Sequence, residues 1–414
     1  MNTPTSSEPP ATAAPPDRLF SAAQARYAAG DFEGAAHLLE EVLNSAPRHV
    51  ESLLTLGRIH LIANRLGPAV VVLEHALESA DRDSAVPEET GEAVRRELAW
   101  ALYRLDRFDE AARHFLALPG YEAVGRKLAA FAGRRPYRAE GTGTVRLPLL
   151  AADPAPFVLL TVGTRDHVFL VDTGTGELTL DVTVMEELRL TNYGVRETTF
   201  ASGRRGQVIQ SILPRLRLGD LLVENIPVEV MDIHSRAPQI AGIIGLNFLL
   251  HFHTTFDYAG RELRLAPHTS PFSPPPGAVR VPCSLFESHI LVAPGAVNEH
   301  DTLLWLASGM AGTAFTCPPS TLEQAHISLS GGPTMTGVSG AGAHDVVPFT
   351  VPRLQLGPLS RQDVPALFGL FLTPLEWRYG VRIGGLVGHD FLRHYRWALD
   401  PLSLTAWFEE EDDG

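Results

Sequence analysis

Lysine is almost missing from this chain: of 34 basic residues, every one but Lys127 is arginine. That is a compositional bias and by itself assigns no function. Cysteine is scarce too. Cys283 and Cys317 are the only two among 414 residues, which excludes a disulfide scaffold. One bridge between them and a reducing compartment both stay open, and neither has a partner at metal-ligand spacing. Acidic residues number 48 and set the formal charge at −14. Nothing offsets phosphate repulsion at that charge, so no nucleic acid partner is expected. Apolar runs are short. The longest, Ile240–Phe252 and Leu303–Phe315, are broken by Gly or His and fall below the ~20 residues of a membrane span. The stretch Met1–Pro16, mostly Pro, Ala, Ser and Thr, lacks the basic start and apolar core of a secretory signal. A cytoplasmic location is the expectation.

Chemical motifs of other kinds are absent as well. There is no glycine-rich phosphate loop with lysine, no His-Glu metalloprotease pair and no Ser/His arrangement at an elbow. No cofactor and no metal are therefore expected. His251 and His253 stand two residues apart. Without a third ligand they read as a solvated strand face.

What is present divides into segments. Residues 1–17 read as a disordered leader. Residues 18–132 carry apolar positions at three- and four-residue steps, a helical pattern. Within them Gly30-Asp31-Phe32-Glu33-Gly34-Ala35, Asn64-Arg65-Leu66-Gly67-Pro68-Ala69 and Asp106-Arg107-Phe108-Asp109-Glu110-Ala111 repeat one theme. Ala23, Gly57 and Ala99 supply a small residue to the first helix of each copy, and Ala35, Ala69 and Ala111 to the second. Paired helices need such positions to approach closely. The first two copies are spaced at the period of tetratricopeptide repeats, and this third of the chain resembles them. The resemblance implies a concave face that recruits a protein partner or substrate.

From about Gly141 the texture is β-rich, with short Val/Leu/Ile runs between Gly, Pro and Asp turns. Residues 141–268 form a first segment, 269–278 a Pro-rich linker, 279–408 a second segment, and 409–414 an acidic tail. The second segment is a degenerate copy of the first. Val145-Arg146-Leu147-Pro148 parallels Val279-Arg280-Val281-Pro282, and Gly242-Ile243-Ile244-Gly245 parallels Gly385-Leu386-Val387-Gly388. The expected fold class is multidomain α + β, all-α repeats followed by two all-β lobes.

The chemistry-bearing motif is Asp172-Thr173-Gly174, launched from the apolar run Val168–Val171. With the apolar-Gly element that follows, it resembles the retropepsin-like aspartic peptidases. The resemblance implies two lobes facing one cleft and two carboxylates sharing a proton around one water. It makes Asp172 the catalytic carboxylate, with Thr173 bridging to the other lobe. Gly174 permits the turn, and Thr175 is a second hydroxyl on the carboxylate. A flap is implied at Ser202, Gly203, Arg204 and Gly206, over a peptide or protein substrate. In the second lobe the equivalent triplet is Ala307-Ser308-Gly309, so alanine holds the second catalytic position. Two readings follow: an endopeptidase that homodimerises to bring in a second Asp172, or tandem lobes that bind peptide without cutting it.

Overall fold

The computed structural model describes residues 15–141, 143–199, 205–329, 334–339, 342–371 and 373–410. The helical part is α1 (Pro16–Ala28), α2 (Phe32–Ser45), α3 (Val50–Ile62), α4 (Leu66–Arg82), α5 (Glu88–Arg104), α6 (Phe108–Leu116) and α7 (Glu122–Ala129). Helix α1 starts at Pro16, inside the stretch expected to be leader. Each of the first three helix pairs turns through one left-handed residue, Gly30 (φ 80°), Asn64 (φ 57°) or Asp106 (φ 59°). Each turn closes the same way: Asp31, Arg65 and Arg107 donate their N–H to Arg26, His60 and Leu102, a six-to-one capping bond. The small positions sit buried between helices. A methyl on Gly57 would stand 2.5 Å from the Leu73 side chain, so any larger residue there has to displace this buried leucine.

The first β lobe contains β1 (Arg138–Glu140), β2 (Val145–Pro148), β3 (Phe157–Val162), β4 (Arg165–Val171), β5 (Leu178–Asp181), α8 (Val182–Leu188), β6 (Val195–Thr199), β7 (Arg205–Leu218), β8 (Leu221–Met231), β9 (Gly242–Ile244), α9 (Leu246–Leu249), β10 (Phe252–Asp257) and β11 (Glu262–Pro267). The second contains β12 (Val279–Pro282), β13 (Ser284–Phe286), β14 (Ile290–Val297), β15 (His300–Leu306), β16 (Phe315–Thr316), α10 (Pro319–Gln324), β17 (Met335–Ser339), β18 (Gly342–Leu356), β19 (Leu359–Phe368), β20 (Ile383–Val387), α11 (His389–Leu392), β21 (Tyr395–Asp400) and β22 (Thr405–Glu410).

The duplication read from sequence is a duplication of topology. The run β8-β5-β9-β4-β3 in the first lobe's sheet recurs as β19-β16-β20-β15-β14 in the second. A third sheet of six strands, β12-β22-β21-β10-β11-β2, joins the lobes and reads alike from either end. At its middle, β10 pairs with β21 with Phe256 opposite Trp397, and their rings stack at 4.3 Å. The linker lies along this sheet, with Phe272 against His253 and Trp407. Cys283 and Cys317 are both buried and free, so they do not bridge.

The helices are packed onto the lobes. Helix α3 contacts α5 directly, so the odd-numbered helices line the inner side of the curve. Tyr103 and Arg104 on α5 and Arg126 and Lys127 on α7 all bond to lobe residues. The turns join in: Asn64 donates to the Pro401 carbonyl at 3.0 Å, and Asp106 meets His251 at 3.3 Å. The inner face expected to recruit a partner is therefore covered, along these helices, by the chain's own lobes.

Candidate functional site

Strands β4 and β15 each end on the seam between the lobes, each lying parallel to the strand of its apolar-Gly element, β9 or β20. Parallel pairing fixes the height at which each strand ends. Asp172 donates its N–H to the Ile244 carbonyl at 3.0 Å, and Ala307 donates to the Val387 carbonyl at the same distance. The two residues are thus pseudo-symmetric mates.

The turns that follow lock together. Thr173 Oγ1 donates to the Leu306 carbonyl at 3.0 Å and accepts from the Ser308 N–H at 3.1 Å. Ser308 Oγ donates to the Val171 carbonyl at 3.0 Å and accepts from the Thr173 N–H at 3.1 Å. Both side chains are fully buried. Four bonds, two from each turn, hold one lobe to the other, and each hydroxyl is spent on the opposite backbone.

Asp172 itself is partly open to solvent. Its Oδ1 accepts the N–H of Gly174 at 2.8 Å and of Gly309 at 2.9 Å. Its Oδ2 accepts the Thr175 hydroxyl at 2.7 Å. A methyl added to Gly309 would fall 2.4 Å from Asp172 Cβ. One added to Gly174 would fall 2.7 Å from Ala307 Cβ. The glycine of each turn therefore stands against the first residue of the other. On one side of the pseudo-axis is a carboxylate with three donors. On the other is the methyl of Ala307, 4% exposed.

The flap residues Ser202, Gly203 and Arg204 lie outside the described residues. Gly206 is described, and pairs with Thr198 in the β6–β7 hairpin. The equivalent hairpin of the second lobe is β17–β18.

Two features went unforeseen. Five residues beyond Asp172, the Glu177 carboxylate is 8% exposed. It accepts from the Tyr103 hydroxyl at 2.8 Å and pairs with Lys127, which is fully buried. The chain's one lysine thus ties α7 to the loop carrying the candidate carboxylate. Asn247, in the apolar-Gly element, reaches Tyr103 and Ser288 at 3.5 and 3.4 Å, bonding to the helices as well as to the other lobe. The histidines also differ from expectation. His253 is 6% exposed and meets Asp400 at 3.3 Å, and His251 bonds to the Asn247 carbonyl at 2.8 Å. His251 lies at the helix–lobe seam beside Asp106 and His253 in the shared sheet against the linker's Phe272, so the pair is not a solvated strand face. Among the described residues no cluster of three metal-ligating side chains occurs, and no helix is long and apolar enough to cross a membrane.

Two pseudo-symmetric β lobes, joined by a shared sheet and locked at a Thr–Ser pair beside a held aspartate, define an aspartic-protease type of architecture behind a helical-repeat module. Family comparison gives the same two parts. Residues 158–248 match the aspartyl protease family, and residues 26–86 match the tetratricopeptide repeat. Among curated proteins nothing matches the chain.

Proposed function

We propose that this protein binds an extended peptide at the seam between its two lobes, with Asp172 as the acidic group there, and that it lacks the paired carboxylates of aspartic peptide-bond hydrolysis. The observation that carries this reading is Ala307 in the place of a second aspartate, opposite Asp172. Hydrolysis by this plan needs one carboxylate to take a proton from water while a second, protonated, polarises the carbonyl. A methyl does neither. Recruitment of a second chain's Asp172 would require opening the four bonds by which Thr173 and Ser308 hold the opposite turns together. The tethered lobe competes for that surface at an effective concentration of order millimolar.

A second reading has one observation in its favour. The cradle around Asp172 is complete, with Gly174, Gly309 and Thr175 all donating to it. That suits hydrolysis with Asp172 as the one general base.

Binding and digestion of a peptide library between about pH 4 and 7, a window set by the titration expected of a carboxylate dyad, distinguish the two. Wild type, Asp172→Asn and Ala307→Asp would be compared. On the binding reading, wild type binds peptide and cuts no faster than Asp172→Asn. Ala307→Asp restores the missing carboxylate and raises cleavage by at least about a hundredfold, the lower end of general acid–base catalysis. Wild-type cleavage that disappears in Asp172→Asn makes the protein a hydrolase.

A further inference from the structure

A cavity of about 310 Å³ opens between the helices and the second lobe, within the size range of small-ligand pockets. Helix α1 contributes Tyr27, α5 contributes Arg96, and the residue before α7 is Tyr121. The far wall is Glu287, after β13, and Arg378-Tyr379, in the loop before β20. Its polar groups are not used up by the fold. Among the described residues, none hydrogen-bonds to the hydroxyls of Tyr27, Tyr121 or Tyr379, and none pairs with Arg96. Charge is unbalanced in the same sense. Arg58 is matched by Glu97 at 3.0 Å and Arg378 by Glu287 at 3.3 Å, which leaves the Arg96 guanidinium over. A positive cavity with spare donors and aromatic walls stands out in a chain of net charge −14.

The cavity also lies near the seam. Two residues beyond Glu287, the His289 ring sits against Gly176, where an added methyl would be 3.3 Å from His289 Cγ. Gly176 is four residues beyond Asp172.

We propose that this cavity holds the free C-terminal carboxylate of a bound peptide on Arg96, with an apolar or aromatic last side chain among the three phenol rings. The helical module thereby supplies one end of the peptide site. This deepens the peptide-binding reading and rests on it.

The test compares matched peptides ending in phenylalanine, one with a free carboxylate and one with a terminal amide, by fluorescence anisotropy on the full chain. Hydrogen bonds to a charged group predict that the acid binds wild type roughly tenfold to a hundredfold tighter than the amide. In Arg96→Gln the difference shrinks to a few-fold, whereas Arg113→Gln, exposed on α6, keeps it. Tyr379→Phe loses part of it, and serves as the second variant should Arg96→Gln not fold. Equal binding of acid and amide to wild type overturns the cavity assignment and leaves peptide binding standing. Binding of neither removes both.

Discussion

Single residues decide more here than their size suggests, and His268 is one with a measurable signature. Its ring lies 5.2 Å from that of His253, and its Nε2 is buried without a partner. Burial, then the neighbouring His253 and His251, push its pKa down to about 4. Burial also lowers His60, His114, His289 and His389. These rings are held neutral in the fold, whereas in the unfolded chain a histidine titrates near 6.5. Between those values the unfolded chain binds more protons, so stability falls as pH drops from about 6.5 toward 4 and is fully kept above. Thermal midpoints should be flat above pH 7 and decline through that window, with a shallower decline in His268→Gln. A pH-independent midpoint would contradict the burial argument. At this scale the Asp172–Thr175 set was legible because its bonds are nearly all local, Thr175 and Gly174 reaching back two or three residues. Burial of His253 was not legible, because the aspartate it meets comes from β21.

At the scale of elements, the loop after β4 is gripped from outside its own lobe. Glu177 holds the Tyr103 hydroxyl and the Lys127 ammonium together where almost no water reaches. Removing one partner of such a pair strands a buried charge at about 3–5 kcal/mol, whereas replacing both by apolar groups is often close to neutral. Lys127→Met is therefore expected to lower unfolding free energy by about 3 kcal/mol or more. Lys127→Met combined with Glu177→Leu should recover most of that loss, short of the Tyr103 bond. Denaturant titration of the two variants reads the difference, and equal destabilisation by both would refute a stranded charge. The helical pairs themselves were plain in the sequence, since their turn residues and small residues repeat with them. The grip was not plain: Lys127 and Glu177 lie 50 residues apart, and no periodic pattern links a helix to a loop across that span.

For the whole molecule, the arrangement of the two halves matters more than either fold. The repeats were expected to recruit a partner or substrate through their concave face, and residues of α5, α7 and two inter-helix turns are committed to the chain's own lobes. A core cluster runs through the contact, joining Tyr27, Leu39 and Ile59 to Phe286, Ile290 and Trp305. Exposing such surface costs about 25 cal/mol for each Å² of apolar area. A chain beginning at Gly141 should be less soluble and melt lower than the full protein, by scanning calorimetry. Two independent transitions in the full chain, each matching an isolated half, would contradict one cooperative body. The duplicated lobes were readable because their motifs recur in the same order. Docking of the helices was not, because it is made by scattered polar contacts such as Asn64 to the Pro401 carbonyl, with no signature in either partner.

The buried state of Lys127 reaches beyond stability. Since no other side chain carries a primary amine, the folded surface offers no lysine ε-amino group to acylating reagents, bifunctional cross-linkers or enzymes that conjugate tags to such groups. That nitrogen becomes reactive only when α7 lifts away from the loop beneath it, which makes the chain's one lysine a ready-made reporter of that opening.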